Sequence, residues 1–232
     1  MDDKKFDVQI HHIMAICGGF LGIYAILARF NIFASAQTAN LIELLKNLLG
    51  KNFMEVLIRL GALMIYITSI IIATVLEKKM KENVKYFALM LECIVIFFLG
   101  FLPETMNPMI ALYPIFFITA FQWCVFKGAK GYVSATIFST NNIKQTVVSL
   151  VECCMLEKEK RRERKEKLEK AKFFGGSLIG FHLGVCIGYI CYQFFGIQSI
   201  WFCMIPLVSN LILLWIENRE ETTVYVGHSS VL

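Results

Sequence analysis

Apolar residues run along this chain in long blocks, and charged residues gather between the blocks. A helix needs about 20 predominantly apolar residues to cross a bilayer. Val8–Ala28 has no acid, Lys or Arg and reads as the first span. Val56–Leu76 is the second, with Arg59 near one end, where a long side chain can reach an interface. Val84–Leu102 is the third and holds Glu92 near its middle, and Thr105–Phe126 is the fourth, without charge. Phe173–Trp215 is about twice one span and also carries no charge, so it divides at Gly196 into a fifth and a sixth. The pattern predicts an all-α polytopic membrane bundle of about six spans.

Composition agrees. Hydrophobic residues make up 57% of the 232 and charged residues 18%, below the quarter or so usual in soluble domains. Of the eight cysteines, Cys17, Cys93, Cys124, Cys186, Cys191 and Cys203 lie inside apolar blocks, where they act as small hydrophobes. Val8–Ala28 is too long for a signal-peptide core, and no cleavage motif follows.

The net charge of +5 matters through its placement. Lys78, Lys79, Lys81 and Lys85 join the second and third spans, and Glu157–Lys172, with nine Lys or Arg and five Glu, precedes the fifth. The joins between spans three and four and between five and six carry no Lys or Arg. Basic loops stay on the cytoplasmic side, so both termini are expected there, in a cytoplasmic membrane. Glu157–Lys172 reads as a helical cytoplasmic insert, a plain extension of a membrane helix, whose net +4 also suits anionic lipid headgroups.

Two segments are too polar for lipid and too poor in charge for ordinary loops: Phe30–Ile42, and the stretch from Lys127 to Val151. Such backbone is tolerated at membrane depth only when protein or a wet cavity surrounds it. The two align 101 positions apart, pairing Phe20 with Phe121, Ala34 with Ala135, Asn40 with Asn141, Ile42 with Ile143 and Leu49 with Leu150. Arg29 with Lys130, Ser35 with Thr136 and Thr38 with Ser139 are chemically similar pairs in the same register. A repeat of three spans must be inverted, and inverted repeats with interrupted helices point to a midplane binding site. The chain thus divides into a first repeat (1–104), the start of a second (105–156), the charged insert (157–172), and the last two spans with the tail (173–232).

The stretch Gly19–Leu45, with Thr38-Ala39-Asn40, resembles the first motif of the YoaK-like family of uncharacterised bacterial membrane proteins. Gln122, followed by Thr136, Ser139, Thr140 and Asn141, resembles that family's second motif. Three positions depart from it: Gly22 stands where the family has Asp, Ala39 where it has Gly, and Trp123 where it has Asn. The resemblance implies the fold and a membrane location, and suggests transport.

The reading that follows is a small secondary transporter or channel for a small polar solute or anion. Thr38, Asn40, Gln122, Thr136, Ser139 and Asn141 are the expected lining, since amides and hydroxyls both donate and accept. Asn40 is also an expected helix N-cap. Glu92, with His182, is the proton-coupling candidate, because ionisable groups inside a membrane are costly and usually functional. Arg29 and Lys130 would attract an anion. No cofactor or metal motif is present, and no nucleic-acid partner is expected. His11 and His12 are adjacent and point about 100° apart on a helix, so they cannot chelate together and an interfacial position is expected. The ridge Gly175-Gly176, Gly180, Gly184 and Gly188 permits close helix approach, inside the chain or across a homodimer. Two alternatives stand beside this reading: a membrane-embedded enzyme using Glu92 and His182, and a scaffold or sensor acting through the charged insert.

Overall fold

A computed structural model describes residues 5–28 and 37–229, with side chains to Glu220. Helices dominate: α1 (Asp7–Ala28), α2 (Gln37–Leu49), α3 (Phe53–Met80), α4 (Asn83–Leu99), the short α5 (Pro108–Ala111), α6 (Tyr113–Val125), α7 (Thr140–Met155), α8 (Arg161–Phe195) and α9 (Met204–Ser229). A two-stranded hairpin, β1 (Gly128–Ala129) and β2 (Tyr132–Val133), follows α6, and a 3-10 segment, Gly196–Cys203, joins α8 to α9. Four stretches are long and apolar enough to cross a membrane: Asp7–Ala28, Phe53–Met80, Pro108–Val125 and Arg161–Glu220, the last containing both α8 and α9. Large apolar side chains such as Met64, Ile71, Phe98, Ile179, Ile190 and Ile212 face outward. Lipid is the solvent that tolerates such a surface.

The centre of the bundle is α1, with 67% of its apolar window buried against 22% for α3. Glycine lets α8 come this close to α1. A Cβ at Gly184 would collide with the carbonyl of Ile16, and one at Gly180 would stand 2.8 Å from the carbonyl of His12. Gly176 receives the ring of His12, and Gly188 the side chain of Ile23. The glycine ridge is therefore spent on packing inside the chain, and the dimer seam considered for it is not available on that face. Small residues at this spacing draw helices together through van der Waals contact where lipid removes the hydrophobic drive.

Helix ends put the polar features at two opposite ends. At one end Lys5 pairs with Glu220 at 2.9 Å, and the Phe6 amide donates to Glu217 at 2.9 Å, so the start of α1 lies against α9 at Glu217–Glu220. Lys85 reaches Asp7 at 2.8 Å and Lys127 reaches Glu77 at 2.7 Å on the same end. At the other end Arg59 lies 3.6 Å from Glu55 and 4.0 Å from Glu43.

The charged insert is no separate unit. α8 begins at Arg161 and runs unbroken for 35 residues, about 52 Å at 1.5 Å per residue, well beyond the bilayer core. It stops at Gly196, whose φ of +54° suits glycine, at the division expected from the sequence. Along the insert, α7 packs antiparallel, with Glu152 paired to Lys167 at 2.6 Å. That contact holds the Glu152 carboxyl below its ordinary range and the Lys167 amine above its own.

Candidate functional site

The polar segment after the hairpin does not leave the bundle. Between β2 and α7 the chain turns inward, and Ser134, Thr136 and Ile137 are buried. A Cβ on Gly18 of α1 would strike the carbonyl of Thr136, so this irregular backbone lies directly on α1. Backbone without a helix must find its hydrogen bonds elsewhere. Asn142 supplies them from the first turn of α7. Its amide donates to the carbonyls of Ala135 (3.0 Å) and Phe138 (3.2 Å) and accepts from the Ser134 hydroxyl (2.9 Å).

Gln122 ties this arm to the helices. Its Nε2 donates to Thr136 Oγ1 at 2.8 Å and to the Met14 carbonyl at 2.9 Å. Gln122 and Thr136 are 0% exposed, and Gln122 Oε1 has no hydrogen-bond partner among the described residues. An amide left with a free acceptor in an apolar interior costs about 1–3 kcal/mol. Two helices, α1 and α6, and the non-helical arm thus meet at one buried amide.

Two further buried polar groups flank this centre. His11, one turn before Met14 on α1, is 2% exposed, and neither ring nitrogen has a partner among the described residues. Its ring stacks on Phe173 at 5.2 Å. Asn210 of α9 donates to the Ile10 carbonyl at 3.3 Å and leaves Oδ1 without a partner there. His11 is therefore packed inside the bundle. The right angle between adjacent helical side chains sends His11 inward and His12 toward α8, where Nε2 donates to the Phe173 carbonyl at 3.0 Å.

The expected site residues divide. Gln122 and Thr136 meet, as described, and Ser139 is half-buried at the start of α7. Asn141 is exposed, and its neighbour Asn142 takes the buried place. Thr38 is exposed and Asn40 half-buried on α2, already three residues inside that helix rather than at its N-cap. No side chain of α2 is fully buried. Arg29 lies outside the described residues. Lys130 is exposed on the hairpin turn with φ of +52°. It lines a cleft of about 580 Å³ with Lys81, Lys85, Lys127, Asp7 and Glu77.

Glu92 and His182 do not form a pair. Glu92 is 1% exposed on α4, with no hydrogen-bond partner for either oxygen among the described residues. His182 is exposed on the outer face of α8 and bonds through Nδ1 to the Leu178 carbonyl of its own helix at 2.9 Å. The glycine face of α8 points to α1, and that rotation turns His182 away from the interior.

A family model described as protein of unknown function, DUF1275, matches residues 10–214. The chain belongs to the DUF1275 family. Its matched region takes in α1, the Gln122 centre, the inward arm and the glycine seam. No curated protein and no solved structure matches the chain. Among the described residues, no group of three or more His, Cys, Asp or Glu could hold a metal ion. The centre is built from amide, hydroxyl and carbonyl groups, which donate and accept hydrogen bonds.

Proposed function

We propose that this DUF1275 protein is a small membrane carrier made of two inverted three-span repeats, with a small polar solute or anion bound where the repeats meet. The observation that carries the reading is a pair of matched joints. On one seam the Tyr113 ring of α6 sits at Gly61 of α3, and its Oη donates to the Ile58 carbonyl at 2.6 Å. On the other, the His12 ring of α1 sits at Gly176 of α8, and Nε2 donates to the Phe173 carbonyl. Tyr113 and His12 stand 101 positions apart, in the register of the repeat; Gly61 and Gly176 stand 115 apart, and so do Ile58 and Phe173. The same arithmetic relates Ser69, which donates to the Phe117 carbonyl, to Gly184, which packs on the Ile16 carbonyl. Membrane composition supplies Leu and Ile freely, but not a ring in a glycine notch with its tip on a carbonyl, twice.

Six spans follow if α4, with 17 residues, is counted and α8 and α9 are taken as two. The end bearing Lys78–Lys85 and the α8 extension is then cytoplasmic, by the retention of basic loops, with both termini beside it. Bacterial cytoplasmic membrane is the location we favour, and Thr38-Ala39-Asn40 with Gln122 supports grouping the chain with YoaK-like members. The exposed Arg161, Arg162, Lys165 and Lys172 suit anionic headgroups. Gln122, Thr136 and Ser139 are the solute contacts, with Asn142 holding the arm. The sealed centre favours a carrier over an open channel, and buried Glu92 is the candidate for coupling to protons.

A thermal-unfolding screen of the purified protein against small anions and polar solutes tests this. A ligand that binds only the folded state, at about 100 times its dissociation constant, adds about 2.7 kcal/mol. The expected result is a stabilising compound whose effect is lost in Gln122→Leu and which the native protein carries into proteoliposomes. Stabilising compounds that never cross the vesicle membrane would overturn the proposal.

A further inference from the structure

The 580 Å³ cleft at the basic end reaches toward the Gln122 centre. Its lining includes Val125, one helical turn from Gln122, and the ion pair Asp7–Lys85. On α1 the residues Asp7, His11, Met14 and Gly18 follow the spacing of one helix face. Each position on that face carries something polar or open. Asp7 holds Lys85, and His11 is buried without a partner among the described residues. Met14 offers its carbonyl to Gln122, and Gly18 admits the Thr136 carbonyl.

We propose that this face of α1 is the solute route from the cleft to the Gln122–Thr136 centre, that the Asp7–Lys85 ion pair is its gate, and that His11 is the first binding group beyond the gate. This rests on the carrier reading for its solute, though not for its geometry. The pair joins the start of α1 to α4, and both side chains are mostly buried, at 16% and 21% exposed. Glu82, 3.9 Å from Lys85, is the other acid at hand. A polar ring held 98% out of solvent, with neither nitrogen engaged among the described residues, is costly packing. It is accounted for if a solute or its water meets the ring when the pair parts. The cleft's four lysines, Lys81, Lys85, Lys127 and Lys130, outnumber its acids Asp7, Glu77 and Glu82, and so favour an anionic group.

The test needs no known solute. In the full chain with its eight cysteines replaced by serine or alanine, a single cysteine is placed by His11→Cys, and a second variant uses Met14→Cys one turn deeper. Reaction with a membrane-impermeant methanethiosulfonate is followed from each side of sealed vesicles. The expected result is slow reaction from the basic side, about tenfold or more faster once Asp7→Asn breaks the pair, because the rate follows the population of the open form. The exchange of charges, Asp7→Lys with Lys85→Asp, restores protection. Val133→Cys, exposed on the cleft wall, reacts readily in every background. Unchanged reactivity of both deeper cysteines in Asp7→Asn, or reaction from the opposite side only, overturns the gate. The carrier reading would survive that result with its entrance elsewhere. A gate without any carried solute would have the converse meaning.

Discussion

The seam between α1 and α8 and the seam between α3 and α6 each join two helices, with different chemistry. On the first, glycines lie against backbone: Gly184 on the Ile16 carbonyl, Gly180 on the His12 carbonyl, Gly19 on the Phe181 carbonyl. On the second, Ser69 and Tyr113 reach across with hydroxyls to the carbonyls of Phe117 and Ile58. Glycine removes side-chain volume and lets helix backbones touch, and a hydroxyl spans the space that remains when they do not. The contrast separates a tight seam, on the most buried helix, from a looser one on a helix whose other faces meet lipid. If the protein is the carrier proposed above, the looser seam is where it would flex, because bonds made by a few side chains exchange more readily than interlocked backbone.

The largest expected effect breaks the tight seam. Gly184→Leu drives a branched side chain into the Ile16 carbonyl, and overpacking of this kind costs ~1–3 kcal/mol or more. Little folded protein should be recovered in detergent, whereas Ser69→Leu at the matched position should lower the unfolding midpoint less. Equal losses would show that the two seams are equally tight. Next in size is Asn142→Ala. It leaves two carbonyls and the Ser134 hydroxyl without their partner, at ~1–3 kcal/mol for each group left buried and unpaired. The arm from Ser134 to Ser139 should become open to protease or label, while Asn141→Ala, at an exposed position, changes nothing.

A smaller effect sharpens the symmetry. Tyr113→Phe and His12→Phe each remove one ring-to-carbonyl bond, about 0.6 kcal/mol on average for such bonds in membrane proteins. Matched joints predict similar shifts in the unfolding midpoint; a large difference would mean that one ring has a further role. The smallest is a pH effect at the α7–α8 contact. The Glu152 carboxyl is held below its ordinary 4.5 by Lys167, so the contact stabilises above that value and is lost as pH falls through the lowered one. Glu152→Gln should remove this acid dependence of α7 packing, read as labelling of Cys153, whose thiol now faces the Arg164 carbonyl.

Much of the architecture was legible in the chain. Uncharged runs such as Val8–Ala28 leave no solvent except lipid or the bundle, and Gly196 marks a turn because its left-handed φ suits no other residue as well. The family resemblance also pointed to Gln122, and the register of 101 positions to Thr136. It pointed equally to Asn141, and there the pattern could not resolve neighbours: rotation of α7 about its axis decides which of two adjacent amides turns inward. The same limit applied to His182, taken as internal, which sits on an apolar helix with no periodic polar face to orient it.

What the sequence by itself determined is the all-helical fold and its long apolar stretches, because transfer of charge into lipid is costly; it did not fix the number of crossings, since six were expected and four stretches among the described residues are long and apolar enough to cross. Only the tertiary structure decided which faces look inward. The glycines of α8 could have met a second copy or α1, and helix rotation toward α1 spent them, exposed His182 and buried His11. That choice is a sum of many small contacts across the seam, none of which any one stretch of sequence contains.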